Sequence, residues 1–79
     1  MHIKILGTGC MKCNTLERKV REIVEQNNID AIITKVTDLE QISRYGIVMT
    51  PGLVIDEVVV SIGSVPSEKQ LLSLLKGEK

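Results

Sequence analysis

Two cysteines separated by two residues, Cys10-Met11-Lys12-Cys13, carry the most reactive chemistry in this sequence. Thiols at that spacing can exchange with a disulfide, hold a soft metal ion such as Cu(I) or Zn(II), or close a short structural bridge. The bridge is a weak return, because a cross-link across so short a loop removes only about 2 kcal/mol of unfolded-chain entropy. A secreted mini-protein framed by disulfides would carry four, six or eight cysteines. This chain has 2, so the pair reads as a reactive centre in a cytoplasmic protein. Exchange needs one sulfur that ionises easily and meets solvent, and a second behind it that displaces whatever becomes attached.

The flanking residues supply those conditions. His2 to Leu6 is a short, mostly apolar strand, and Gly7-Thr8-Gly9 ends it. From Asn14 to about Gln26, Leu16, Val20, Ile23 and Val24 recur at helical spacing, with Glu17/Arg21, Arg18/Glu22 and Arg21/Glu25 as opposite charges four apart on the wet side. Cys13 lies three residues before Leu16 and so faces the core, whereas Cys10 precedes the helix at an exposed loop tip. The helix start and the Lys12 ammonium both favour an anion, which predicts a Cys10 pKa below the ordinary thiol value.

Downstream, Ala31 to Val36 is rich in β-branched residues and predicts a second strand, parallel to the first across the helix. Asp38 to Tyr45 predicts a short helix capped by Asp38, with Leu39 and Ile42 inward and Gly46 as its stop. Leu53 to Ile55 and Val58 to Ile62 predict a hairpin around Asp56-Glu57. Ser67 and Gln70 form a capping-box pattern ahead of Leu71, Leu72, Leu74 and Leu75, and Gly77 ends this last helix. The predicted fold is α/β, a four-stranded mixed sheet in the order β-α-β-α-β-β-α flanked by helices. The chain of 79 residues suffices for one domain, residues 1–79, with an aliphatic core, since it has one tyrosine, no phenylalanine and no tryptophan.

Charge removes several partners. Ten basic and ten acidic residues cancel, so the footprint of a nucleic-acid or anionic-membrane binder is missing. Ile3 to Leu6 is too short for a signal peptide or a spanning helix, which predicts a soluble, cytoplasmic chain.

Together Gly7-Thr8-Gly9-Cys10-Met11-Lys12-Cys13, Val36-Thr37-Asp38, Tyr45-Gly46, Thr50-Pro51-Gly52-Leu53-Val54-Ile55-Asp56 and Gly63-Ser64-Val65-Pro66-Ser67 resemble the small thioredoxin- and glutaredoxin-like redox-active disulfide proteins of archaea and bacteria. The resemblance covers nearly the whole chain. It implies a thioredoxin-like fold and a thiol-disulfide oxidoreductase in which Cys10 attacks and Cys13 resolves. It also implies a cis Thr50-Pro51 bond beside the cysteines, with the Thr50 backbone pairing with a bound substrate strand. Met11 and Lys12, between the sulfurs, are the remaining candidates for substrate contact. The implied partners are protein or low-molecular-weight disulfides and a reductase; no bound cofactor is required, and a monomer is expected. The chain departs from ordinary thioredoxins in having Gly9 before the first cysteine instead of Trp, Met11-Lys12 instead of Gly-Pro, and no carboxylate in its first strand.

The alternative is a soft-metal chaperone domain using the same two thiolates, with Met11 as a third ligand. Such domains end in a strand and place a methionine two residues before the first cysteine, where this chain has Thr8. His2 reads as a surface residue and Tyr45 as a packing residue. Met49 reads either as a groove residue or as packing.

Overall fold

The computed structural model describes residues 1–76, and its elements run β1 (His2–Leu6), α1 (Met11–Gln26), β2 (Ile32–Val36), α2 (Leu39–Arg44), β3 (Gly52–Ile55), β4 (Val58–Ile62) and α3 (Glu68–Leu75). The strands form one sheet in the order β2-β1-β3-β4. β1 runs parallel to β2, with Ile3 opposite Ile33, and antiparallel to β3, with Ile5 opposite Leu53. β3 and β4 form the antiparallel hairpin. This is the expected mixed four-stranded sheet with three helices. The stop assigned to Gly77 lies outside the described residues.

Side chains alternate across a strand, so β1 divides its residues between two cores. Ile3, Ile5 and Leu53 meet Leu16, Val20 and Ile23 of α1 and Leu71 and Leu75 of α3. Leu6, Val36 and Val54 meet Ile42 of α2 and Ile47 beyond it. The second cover is thinner because α2 has six residues, under two turns, and presents one apolar side chain to the sheet. Leu39 corrects the expectation of two: it is 70% exposed. The second anchor is instead Ile47, which returns to this face after Gly46 turns the chain at φ +79°.

Several limits shift for local reasons. α1 starts at Met11 because the Cys10 side chain accepts the Cys13 N–H and makes Cys10 the N-cap. β2 starts at Ile32 and β3 at Gly52. Asp38 caps α2, and Ser67 and Gln70 complete the capping box of α3. Of the three charge pairs expected along α1, Glu17–Arg21 alone closes among the described residues, at 3.0 Å, and Glu17 also takes Lys35 of β2 at 3.3 Å.

The hairpin turn has both central residues left-handed, Asp56 at φ +48° and Glu57 at φ +67°, the two-residue conformation that suits strand twist. It directs Glu57 back over the sheet, where its carboxylate meets the Lys4 ammonium at 2.6 Å. Lys4 also donates to the Tyr45 hydroxyl at 2.7 Å, and that hydroxyl donates to Glu57 at 3.2 Å. Tyr45 therefore packs on the second core and also ties the end of α2 to β1 and the hairpin. No helix among the described residues is long and apolar enough to cross a membrane.

Two outcomes follow from this packing. Leu53→Ala, at a fully buried position in the first core, lowers unfolding free energy by about 2–5 kcal/mol, measured by denaturant titration with far-ultraviolet circular dichroism. Lys4 holds the Glu57 carboxyl below its ordinary range, so the pair stabilises the fold above the unfolded carboxyl pKa and loses that contribution as pH falls through the lower folded value. The melting-temperature difference between wild type and Glu57→Gln accordingly shrinks in acid.

Candidate thiol-disulfide site

The end of β1, the start of α1 and the loop before β3 meet around the two sulfurs. Cys10 is exposed in extended conformation, φ −68° and ψ 167°, as the cap of α1. Cys13, one turn along, is 4% exposed. The two are unbridged thiols with their sulfurs 2.7 Å apart, and the Cys13 N–H points at Cys10 Sγ from 3.4 Å. Asn14 fastens the loop to the helix, its backbone N–H donating to the Cys10 carbonyl at 3.0 Å and its side chain to the Gly9 carbonyl at 3.4 Å. Gly9 turns at φ +92°, a conformation that disfavours side-chain-bearing residues.

This arrangement separates the two acidities. The Cys13 thiol, donating to Cys10, is the largest influence lowering the Cys10 pKa, followed by the Cys13 N–H. Burial raises the Cys13 pKa, and its hydrogen bond to Cys10 raises it further. The lowered Cys10 value agrees with expectation in direction and differs in cause. Lys12 contributes through its backbone N–H, while its side chain lies in solvent. A low pKa here comes from hydrogen bonds to the thiolate, which favour the charged form.

The remaining candidates sit around that pair unequally. Met11 is 85% exposed and Lys12 is exposed, so both form the outer surface of the first turn between the sulfurs. The Thr50-Pro51 peptide bond is cis. Thr50 is half-buried, and Pro51 is fully buried, with its carbonyl accepting the Gly63 N–H at 2.8 Å. Pro51 is thus a floor to the loop, and surface contact falls to Thr50, Met49 (59% exposed) and Val48 (97% exposed). Met49 lies over Gly63, where a side chain would come within 3.2 Å of it. His2 is remote in role: its ring hydrogen-bonds with Thr34 at 3.0 Å across the parallel strands.

One residue at the centre carried no sequence expectation beyond ending a strand. Gly7 is buried, and the space beside its Cα is shared by Cys13 and Thr50: a Cβ there would overlap Cys13 Sγ and lie 3.8 Å from Thr50 Cβ. Gly7 thereby lies against both Cys13 and the Thr50 side chain. The sequence signal was its place in Gly7-Thr8-Gly9, where two glycines with different jobs read as one break.

A strand ending in a glycine, a capped cysteine pair and a loop carrying a cis proline coincide with a known family. A family model described as a thioredoxin domain matches residues 1–76. The chain belongs to the thioredoxin family. It is similar to a thioredoxin of Methanocaldococcus jannaschii, 43% identical over 74 residues that span 94% of this chain and 85% of the relative. It is also similar to a thioredoxin of Methanothermobacter thermautotrophicus, 37% identical over 75 residues spanning 95% and 97%. The chain is therefore a thiol-disulfide oxidoreductase by family, with the thioredoxin-like fold. Neither the family model nor these relatives support the soft-metal alternative.

The hydrogen bond between the sulfurs sets a testable acidity. Cys13→Ala removes the main influence lowering the Cys10 pKa, so the midpoint of Cys10 alkylation by iodoacetamide moves up in pH and the rate near neutrality falls. A pH–rate profile of both proteins reads this directly.

Proposed function

We propose that this thioredoxin-family chain passes electrons between its Cys10/Cys13 dithiol and disulfides of proteins or small molecules. The Cys10 thiolate attacks one sulfur of the target disulfide, forming a mixed disulfide and releasing the other target sulfur as a thiolate. Cys13 gives its proton to the target thiolate released first, or to water, and attacks Cys10 Sγ; the bond to the target breaks, the second target thiolate leaves, and the Cys10–Cys13 disulfide remains. The target is reduced by two electrons and the pair is oxidised by two. A reductase or dithiol then returns the pair to its starting state.

The observation carrying this reading is an exposed, easily ionised sulfur with a second, buried sulfur 2.7 Å behind it. Burial keeps Cys13 from attacking substrates on its own account and raises its pKa, while proximity makes its attack on Cys10 unimolecular. In this scheme the Thr50 backbone pairs with the substrate chain, Pro51 fixes Thr50 from below, and Met11 and Lys12 border the docked segment. The chain acts as a single domain, as a monomer, and in the cytoplasm, where a reductant keeps the pair reduced.

Titration against dithiothreitol or glutathione buffers, read by thiol labelling and mass because the chain lacks tryptophan, should reveal one reversible two-electron couple. With a model peptide disulfide, Cys13→Ser accumulates the Cys10 mixed disulfide, and Cys10→Ser forms no adduct and exchanges at background rate. Equal adduct formation by Cys10→Ser would overturn the assignment.

A further inference from the structure

We propose that Gly7 is a positioning residue for this exchange: its missing side chain is the space in which Cys13 Sγ is held against Cys10. The inference rests on the proposed roles of the two cysteines and adds a third residue that touches neither substrate nor the bond being exchanged.

Glycine is often kept because the backbone turns left-handed, but Gly7, unlike Gly9, Gly46 and Gly63, has no positive φ. Its backbone is one that other residues adopt. What it lacks is room. A Cβ built on it would overlap Cys13 Sγ and approach Cys13 Cβ to 3.1 Å. Rotating the thiol away would relieve the first clash and leave the second, a tight contact that asks the first turn of α1 to give by only a few tenths of an ångström. Gly7 itself cannot give way easily, because its N–H extends the β1–β2 ladder to the Val36 carbonyl at 2.9 Å. Thr50 Cβ stands 3.8 Å from the same point, at ordinary contact distance. The displacement therefore falls on Cys13.

Cys13 has few alternatives. It is buried within the first turn of α1, where one of three staggered χ1 positions is disfavoured by the helix backbone. Each route takes its sulfur out of the 2.7 Å contact with Cys10. Two properties are lost together: the hydrogen bond that favours the Cys10 thiolate, and the alignment for attack on a mixed disulfide. A displacement on the order of 1 Å in a reacting group can slow a step by about a hundredfold.

The test uses dithiobis(nitrobenzoate) in stopped flow. In the wild type, Cys10 releases one thionitrobenzoate in a phase proportional to reagent concentration; Cys13 then expels the second in a phase independent of it. In Gly7→Ala the second phase slows by about tenfold to a hundredfold, and the Cys10 alkylation midpoint rises in pH. Cys13→Ala, which removes the sulfur the new methyl overlaps, provides the rescue. Gly7→Ala/Cys13→Ala regains the larger part of the melting temperature lost by Gly7→Ala, the part due to the Sγ overlap, since the tight contact with the Cβ stays, and has the alkylation midpoint of Cys13→Ala alone. If Gly7→Ala fails to fold, the double variant decides: recovery of the fold supports the seat, and failure to recover overturns it. A wild-type second phase in Gly7→Ala overturns the role of Gly7 and leaves the proposed function standing. A wild-type protein whose second release scales with reagent concentration overturns the resolving role of Cys13, and this inference with it.

Discussion

A thiol sealed inside the protein and a sulfur standing in water share one hydrogen bond here, and each is shaped by what the other lacks. Cys10 has solvent and the amides of a helix start, which suit a charge. Cys13 is buried, and burial opposes one, so it is the sulfur that keeps its proton when the other ionises. The contrast needs no charged side chain. It follows from where a helix cap ends and the core begins, three residues apart. The strand before the cysteines carries no carboxylate; its one charged residue besides His2 is Lys4, which is bound to Glu57 and Tyr45.

The scaffold exists to hold that three-residue step. β1 lies inside the sheet, flanked by β2 and β3, and delivers Gly7 to the foot of α1. The aliphatic stripe of α1 then fixes its rotation, so that Cys13 shares a face with Leu16 and Val20. The loop from Gly46 to Pro51 approaches from the other side, anchored by Ile47 below and by the Pro51 carbonyl at Gly63. Two pieces of chain distant in sequence thus meet over a residue with no side chain.

Much of this could be read from residue order. The aliphatic spacing from Leu16 to Val24 defines α1 and with it the unequal exposure of the cysteines. The β-branched run in β2, the Ser67–Gln70 box and the Asp38 cap each reflect local chemistry, and local chemistry survives folding. What was hidden depends on contacts across the sheet. Leu39 has the right spacing to face inward, but nothing in its neighbours reveals that α2 is too short to bury it. Tyr45 looks like an isolated ring until the left-handed Asp56-Glu57 turn brings a carboxylate to it. Gly7 is the clearest case: a glycine after a strand signals a break, whereas its contact with Cys13 spans an entire loop and helix start. The source of the Cys10 acidity was hidden for the same reason, since the Lys12 ammonium is visible in sequence and a hydrogen bond between the sulfurs is not.

The two sides of the sheet are covered to different depths, by α1 and α3 on one side and by the six residues of α2 on the other. Opening free energy follows apolar contact, so the two halves of the cleft differ in stiffness. The sulfurs ride on the firm side, where small displacements would spoil a reaction governed by alignment. Val48 and Met49, both exposed, follow α2 and Ile47 in the chain. Under the proposed exchange, accommodation to targets of different shape belongs to this stretch, which undergoes no bond change, and the reacting atoms are spared from adapting.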